Sequence, residues 1–220
     1  MKQIVPLGDQ AALAYFQEEA EALRFANHLR ADPPDWLIDV VPAYASVAVF
    51  FELPRMRFAA VATELRELET AGSFSPTEGK LHRIPCCYEF QLDLERVARA
   101  TGLATDAIIN LHTGCVYTVY ALGFCPGFPY LGYLPAELAN VPRLESPRLR
   151  VPPGSVGLTG KQTGIYTMER PGGWNLIGRT PLELVNVADG YFPLRAGERV
   201  QFVRIDEGEF ARQLGQRLES

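Results

Sequence analysis

The sequence predicts an α+β fold in two parts, an N-terminal α+β domain over residues 1–84 and a β-barrel domain over residues 85–220. Two observations carry this prediction. Residues 1–84 alternate between short apolar, β-branched runs and stretches with the periodicity of amphipathic helices. Beyond Val116 the chain is instead rich in glycine, proline and aromatic residues, with short β-like runs between turn signals, a pattern typical of a closed or nearly closed barrel.

The N-terminal domain is predicted to be a ferredoxin-like sandwich with the element order β-α-β-β-α-β. Its strands are expected at residues 4–7, 38–41, 46–51 and 80–86, from their β-branched and apolar runs. Its two helices are expected because apolar residues recur with the spacing of one helix face. These residues are Ala22, Phe25, Ala26 and Leu29 in the first helix, and Phe58, Val61, Ala62, Leu65 and Leu68 in the second.

The composition argues against several classes of partner. The net charge is -5 and the isoelectric point about 5.3, so no overall positive field favours nucleic acid or an anionic membrane. No apolar run approaches the roughly 18 residues that a membrane span needs, and the first residues lack the pattern of a signal peptide. The cysteines form no C-x-x-C pair, so we expect no zinc site, no disulfide framework and a reduced, cytoplasmic location.

A loop rich in glycine, proline and aromatic residues is predicted at residues 123–132. Proline fixes φ and glycine permits close backbone approach, so this composition favours a rigid loop over a strand. Loops on rigid scaffolds often carry function, which makes Gly127 a candidate for approaching a substrate. A tight turn that wraps the barrel rim explains the same residues.

Two arginines beside prolines, Arg143 and Arg148, are candidates for holding an anionic group. A planar guanidinium binds a carboxylate or a phosphate through two parallel hydrogen bonds. The alternative is a pair of solvent-exposed surface arginines, which are common in proteins.

Several further segments place polar side chains beside glycines. Such positions either present backbone N–H groups and side chains to a small polar ligand or form turns between strands. Trp174 either stacks on a ligand or caps the barrel core. The candidate substrate-binding residues in these segments are Ser155, Gln162, Thr163, Tyr166, Gly173, Trp174, Arg179 and Thr180.

Residues 154–161, GSVGLTGK, resemble a phosphate-binding loop only superficially. Five residues separate Gly154 from Gly160 where the motif has four, and Gln162 stands where a serine or threonine would hold magnesium. We therefore predict no nucleotide site in this segment, and the sequence carries no metal-binding motif.

His112 is a candidate general acid or base, because the pKa of an imidazole lies near neutrality. The same residue also fits the end of a helix, where the helix dipole favours a positive charge. The residues around it leave both interpretations open.

Six motifs, in order and at consistent spacing, resemble the KipI family, also called allophanate hydrolase subunit 1 or the B subunit of the Pxp-type 5-oxoprolinase. The resemblance covers nearly the whole chain. One segment departs from the family, whose members usually read Tyr-Gly-Gly-Glu-Phe-Gly-Pro-Asp-Leu where this chain has a shorter, glycine-free segment from Tyr88 to Leu94. The six motifs are His112…Tyr117-x-Val119, Gly123-Phe124-x-Pro126-Gly127-Phe128-Pro129-Tyr130-Leu131, Pro142-Arg143…Pro147-Arg148, Val151-Pro152-x-Gly154-Ser155-Val156-Gly157, Gln162-Thr163-Gly164-Ile165-Tyr166 and Pro171-Gly172-Gly173-Trp174…Gly178-Arg179-Thr180-Pro181.

The resemblance implies a cyclophilin-like barrel and an enzyme subunit that is inactive alone. The implied reaction is ATP-dependent hydrolysis of 5-oxo-L-proline to L-glutamate. The implied partners are a KipA-like protein, which is the C subunit, and a LamB/YcsF-like protein, which is the A subunit. ATP would be bound mainly by, or shared with, these partners. In that enzyme Arg143, Arg148 and Arg179 would hold a carboxylate or phosphate, and His112 would move a proton.

Two other functions remain open from the sequence. Members of the family named KipI inhibit a sensor histidine kinase, and exposed barrel aromatics such as Phe124 would suit a partner segment. KipI-like and KipA-like modules also occur inside biotin-dependent urea carboxylases. In such a urea, amide or allophanate hydrolase system, this chain would be a carboxyltransferase-like half, with biotin supplied by another protein.

Overall fold

The computed structural model describes residues 1–71 and 79–218, and the chain divides into two compact units, Met1–Glu78 and Gly79–Ser220. Each unit has its own buried apolar core. Within the described residues, no helix is both long enough and apolar enough to cross a bilayer.

The first unit is a four-stranded antiparallel sheet, in the order β1-β2-β4-β3, packed against two helices. The helix face predicted from Ala22, Phe25, Ala26 and Leu29 is fully buried, as the periodicity indicated. It packs with alternate residues of the strands, because successive strand residues point to opposite faces of the sheet. The elements are β1 (Gln3–Leu7), β2 (Ala11–Tyr15), α1 (Glu19–Ala31), β3 (Leu37–Ala43), β4 (Ser46–Phe51) and α2 (Phe58–Ala71).

The second unit is built around a closed seven-stranded barrel, which confirms the predicted α+β fold with a barrel. The strands close in the order β10-β7-β6-β13-β5-β12-β9, and β8 pairs with β11 in a separate two-stranded ribbon. The elements are β5 (Leu81–Cys87), α3 (Leu94–Thr101), α4 (Thr105–Gly114), β6 (Val116–Leu122), β7 (Pro129–Gly132), β8 (Arg148–Val151), β9 (Ser155–Thr159), β10 (Gln162–Ile165), β11 (Arg170–Gly172), β12 (Asn175–Arg179), β13 (Arg199–Ile205) and α5 (Glu207–Gln213).

The element order predicted for the first domain, β-α-β-β-α-β, is wrong in two places. Strand β2 is absent from the prediction, since its sequence AALAY has few residues that favour strands. It forms because Gly8, with φ of 62°, lets the chain reverse so that Leu7 pairs with Ala11. The strand predicted at residues 80–86 is β5, which runs parallel to β13 in the barrel. The first unit therefore has the order β-β-α-β-β-α, and the boundary predicted after residue 84 lies inside a barrel strand.

Candidate functional site

Four aromatic side chains form a cluster on the outer face of the barrel, which we call the aromatic platform: Phe128, Tyr130, Tyr166 and Trp174. Phe128 lies at its centre, with ring centroids 5.3 Å from Tyr166 and 5.4 Å from Trp174. Both contacts are edge-to-face, the geometry that aromatic pairs prefer. Leu131, the neighbour of Tyr130 along β7, belongs to the barrel core instead, so the strand separates the platform from that core.

Glycines allow the platform to lie directly on the sheet. Gly164 of β10 pairs with Gly157 of β9, so no side chain projects between these strands and Trp174. A Cβ at Gly164 would lie 2.8 Å from the carbonyl oxygen of Pro129, closer than such atoms approach in folded proteins, and 3.1 Å from the Trp174 ring, which is a tight contact. These motif glycines are therefore required for packing, whatever else they do.

Arg148 lies beside the platform in an ion pair with Asp93. Its Nη2 donates to Asp93 Oδ1 at 2.7 Å, and Asp93 Oδ2 accepts from the backbone N–H of Leu176, also at 2.7 Å. Asp93 is only 6% exposed, so both oxygens are fixed in a poorly solvated setting. Nη1 of Arg148 is buried without a hydrogen-bond partner, the single such side-chain atom in the described residues. Arg148 is thus held on one side and keeps an unsatisfied donor on the other.

Arg143 supplies a second positive charge, which acts electrostatically on two phenols of the platform. Burial raises the pKa of Tyr166, and a backbone hydrogen bond from Trp174 and the charges of Arg143 and Arg148 partly offset that rise. Burial likewise raises the pKa of Tyr130, and the positive charge of Arg143 partly offsets that rise. Both phenols are therefore neutral O–H groups at neutral pH. Two arginines and two phenols together form what we call the arginine–tyrosine site, which is suited to a carboxylate.

The loop that carries Arg143 is anchored by its backbone. The amide of Asn175, which is fully buried, donates to the carbonyl of Pro142 at 3.0 Å. Arg96 Nη2 donates to the carbonyl of Arg143 at 3.5 Å, and its Nε donates to Asn175 Oδ1 at 2.9 Å. The exposed side chain of Arg143 thus extends from a fixed backbone.

His112 lies inside the barrel core and is fully buried. Thr163 Oγ1 donates to the carbonyl of Gly157 at 3.0 Å, so it accepts from Nε2 of His112, 2.9 Å away. The other ring nitrogen, Nδ1, then accepts from the Tyr88 hydroxyl at 2.7 Å. The ring also stacks on Phe202, with centroids 4.5 Å apart. Both nitrogens are satisfied in the neutral form, and burial lowers the pKa of His112 to about 3.

The structure does not bring His112 together with the two predicted arginines. Thr163, its partner, points inward from β10, whereas its neighbour Gly164 supports the aromatic platform on the outer face. A buried neutral imidazole does not touch a substrate at the surface. The proton-transfer role predicted for His112 stays a prediction, and it would need a relay through Thr163 or Tyr88.

Three other predicted residues gather around the turn before β9. The backbone N–H of Thr180 donates to the carbonyl of Gly154 at 2.9 Å. The carbonyl of Ser155 accepts from the backbone N–H of Tyr166, also at 2.9 Å. Arg179 Nε donates to the carbonyl of Pro153 at 3.1 Å, and its guanidinium lies 5.8 Å from the centre of the Phe210 ring. Their observed contacts join strands and loops to one another.

The remaining predicted residues lie at the edges of the platform. The carbonyl of Gly173 accepts from the backbone N–H of Leu144 at 2.8 Å. This bond connects the loop of Arg143 to the segment between β11 and Trp174. Gln162 lies on the same face of β10 as Gly164, one strand repeat away. Gly127 packs against Val185: a Cβ there would lie 2.2 Å from a Val185 methyl group.

Residues 154–161 form strand β9 and the turn into β10, with no helix after the turn. A phosphate loop cradles its ligand at a helix N-terminus, so this segment does not form one. Among residues 1–71 and 79–218, no group of three or more His, Cys, Asp or Glu side chains is placed to hold a metal ion.

Sequence reasoning missed Asp93 and gave Tyr130 no site role. Asp93 lies in the segment that departs from the family by its missing glycines, and its pairing with Arg148 spans 55 residues of chain. A signal was present, because Asp93-Leu94 retains the Asp-Leu that ends the family pattern. The sequence marks Tyr130 only as a member of the second family motif.

Comparison with known proteins gives consistent similarities. The family model "Carboxyltransferase domain, subdomain C and D" matches residues 2–191. The chain is 38% identical to the 5-oxoprolinase B subunit of Bacillus subtilis (strain 168), over 94% of this chain and 95% of that protein. It is 40% identical to the 5-oxoprolinase B subunit of Escherichia coli O157:H7, over 84% of this chain and 85% of that one.

Solved structures share the fold. TTHA0988 superimposes with a TM-score of 0.78 at 35% identity, over 90% of this chain but only 40% of the longer TTHA0988 chain. The urea carboxylase of Kluyveromyces lactis superimposes with a TM-score of 0.74 over 98% of this chain and 23% of its own. At 16% identity that second likeness concerns the fold alone.

Proposed function

We propose that this chain, which belongs to the carboxyltransferase subdomain C and D family together with the 5-oxoprolinase B subunits, is the B subunit of an ATP-dependent 5-oxoprolinase. In this role it helps to hydrolyse 5-oxo-L-proline to L-glutamate. The observation that carries the proposal is the 38% identity to the Bacillus subtilis B subunit, which extends over nearly the full length of both proteins.

The arginine–tyrosine site supports this substrate class. 5-Oxo-L-proline is a five-membered lactam that carries one carboxylate. Arg143 and Arg148 would bind that carboxylate, and the neutral phenol of Tyr130, which is partly exposed, would donate a hydrogen bond to one of its oxygens or to the lactam carbonyl. Tyr166 is only 2% exposed, so it would support the site by packing within the platform. Charge-assisted bonds of this kind are the stronger class of hydrogen bond, so this chain would contribute binding and orientation.

ATP supplies the driving force for cleaving a resonance-stabilised amide. The segment that most resembles a phosphate loop is a β-hairpin here, so its residues do not fit a nucleotide in that manner. The proposal therefore places ATP mainly on the partner subunits, and no step on this chain passes through it. Those partners are the KipA-like C subunit and the LamB/YcsF-like A subunit, in the cytoplasm.

Reconstitution tests the proposal. The tagged chain is co-expressed with the proteins encoded beside it, and ATP-dependent release of glutamate from 5-oxo-L-proline is measured. We expect a stable complex with that activity. A stable complex that releases no glutamate would contradict the proposed substrate.

The arginines are tested in the same assay. Replacing both Arg143 and Arg148 with alanine should lower kcat/KM at least about 100-fold, because two charge-assisted contacts are lost. Arg150→Ala is the matched control, since Arg150 lies on the same strand as Arg148, is largely exposed and has only a 3.8 Å contact with Glu169. An equal loss of kcat/KM in Arg150→Ala would show that Arg143 and Arg148 have no specific role in binding the substrate.

A second candidate function follows from the family description. A carboxyltransferase half would move a carboxyl group between biotin and a urea or amide, and it shares the barrel seen in urea carboxylase. Biotin-dependent carboxylation by the reconstituted complex, without glutamate release, would favour it. Inhibition of a histidine kinase is tested by adding the purified chain to an autophosphorylation assay.

A further inference from the structure

Phe124 occupies a backbone conformation that phenylalanine rarely adopts. Its φ is 65°, and the backbone N–H of Cys125 donates to the carbonyl of Gly123 at 2.7 Å, which closes a three-residue γ-turn around it. A γ-turn with a positive central φ is rare and strained, and for a bulky residue a positive φ is a clear outlier. Glycine would take this position without strain.

The surrounding loop holds this turn rigidly. The backbone N–H of Phe128 donates to the carbonyl of Cys125 at 3.1 Å, and the backbone N–H of Gly123 donates to the carbonyl of Phe128 at 3.2 Å. The Thr167 hydroxyl donates to the carbonyl of Pro126 at 2.7 Å and ties the loop to the strand end after Tyr166. The strained conformation is thus imposed by several contacts of the loop.

The ring of Phe124 is also 59% exposed, an unfavourable position for so large an apolar side chain. Its ring makes T-shaped contacts with Phe128 and Tyr166, with centroids 5.4 and 6.2 Å apart. Phe192, 45% exposed, adds a second apolar ring close to Gly127. Next to it, Tyr191 lies under the guanidinium of Arg217, which is paired with Glu183 and Asp189. Exposed rings beside paired charges have the composition of a protein interface, with an apolar centre and a polar rim.

We propose that Phe124 is the anchor by which this barrel binds another protein subunit of its enzyme, with the ring inserted into an apolar pocket of that subunit. The inference rests on the proposed function. It accounts for two costs, backbone strain and an exposed apolar side chain, for which the contacts among the described residues give no purpose. A ring already held in its bound position loses little conformational entropy on association, which is what preorganisation contributes to affinity.

A protein partner fits better than a small ligand. Two separate exposed rings, Phe124 and Phe192, present more apolar surface than a compact, charged lactam would cover. Several relatives are named as subunits, and in TTHA0988 the matching part is 40% of a longer chain, so this fold occurs next to further protein there. Because Phe124 touches Tyr166, a subunit docked on it would lie against the arginine–tyrosine site.

Two substitutions separate strain from binding. Phe124→Gly relieves the positive φ and removes the ring, so the melting temperature of the isolated chain should stay within about 2 °C of wild type or rise. The Kd for the partner subunits should nevertheless increase at least about tenfold, as for an interface hot spot. Phe124→Ala keeps the strain and loses the ring contacts with Phe128 and Tyr166, so it should lower the melting temperature and weaken binding by a similar factor.

Asn140→Gly is the matched control. Asn140 is exposed and has a φ of 69°, so it tests relief of a positive φ away from the loop. Its Kd for the partners should equal that of the wild type. Affinities are measured by titrating purified variants against the subunits co-purified with the wild-type chain.

The outcomes are distinguishable. If the wild-type complex forms and Phe124→Gly binds within threefold of it, Phe124 is not the anchor, and the proposed function stands. If assembly is unchanged but KM for 5-oxo-L-proline rises, the ring contacts substrate, and the inference is wrong. If the wild-type chain forms no complex at all, both the proposed function and this inference fail.

Discussion

Burial of His112 predicts that the barrel loses stability as the pH falls below neutrality. In the unfolded chain its pKa is about 6.5, whereas in the folded barrel burial lowers the pKa to about 3. Between these values the unfolded state binds a proton that the folded state does not, so acid favours unfolding. The stabilisation is fully present above pH 6.5 and is lost progressively as the pH falls towards 3. From pH 7 to pH 5 this one residue should remove about 2 kcal/mol of the free energy of unfolding.

Urea unfolding at pH 7 and pH 5, followed by tryptophan fluorescence, measures this loss. The comparison is with His112→Gln, in which one amide donor and one acceptor replace the two ring nitrogens without a titrating group. All other titratable groups are present in both proteins, so their contributions cancel in the difference. The wild type should lose about 2 kcal/mol more than the variant. Equal pH dependence in the two proteins would refute the assignment of His112 as a buried neutral core residue.

Two further substitutions test the packing of the candidate site. Gly164→Ala should destabilise the barrel by about 1–3 kcal/mol, because the new methyl group meets the backbone oxygen of Pro129. Gly114→Ala is the control, because Gly114 has open space around it; it should change the free energy of unfolding by less than about 1 kcal/mol. Equal losses of stability in Gly164→Ala and Gly114→Ala would contradict the packing argument. Asp93→Asn should lower stability by about 1–3 kcal/mol in thermal unfolding, since it leaves the partly buried Arg148 without its counter-charge. No change would mean that the ion pair contributes nothing.

The sequence predicted helices better than strand pairing. Helix periodicity is local, and the buried face of α1 follows directly from it. Strand β5 is recognisable as a strand, but the sequence assigns it to the wrong domain. Its partner β13 begins more than 110 residues further along the chain, and no local pattern in residues 81–87 indicates that pairing. Strand β2, in contrast, is not recognisable as a strand from its sequence. Its alanine-rich segment takes a strand conformation because it pairs with β1 on one side and β4 on the other.

The candidate site was predicted in part. The motifs nominate Arg148, Tyr166 and Trp174; in the structure Tyr166 and Trp174 pack in one cluster, and the charges of Arg143 and Arg148 act on Tyr166. The counter-charge of Arg148 could not be inferred, because the identity of a partner 55 residues away depends on the completed barrel. Burial of His112 was equally hidden, since a histidine near the end of a helix is equally compatible with solvent or with a core.

The segment from Gln162 to Tyr166 shows why a contiguous motif misleads the assignment of roles. Its sequence suggests one ligand-binding stretch, yet most of it is strand β10, in which successive side chains point to opposite faces. Thr163 therefore faces inward and fixes the tautomer of His112, while Gly164 faces outward and leaves room for Trp174. A substrate on the outer surface would meet only alternate members of the motif. The inward members determine the stability of the barrel that holds the site in place, and for this reason a loss of activity at Thr163 must be separated from a loss of folding before it is interpreted as chemistry.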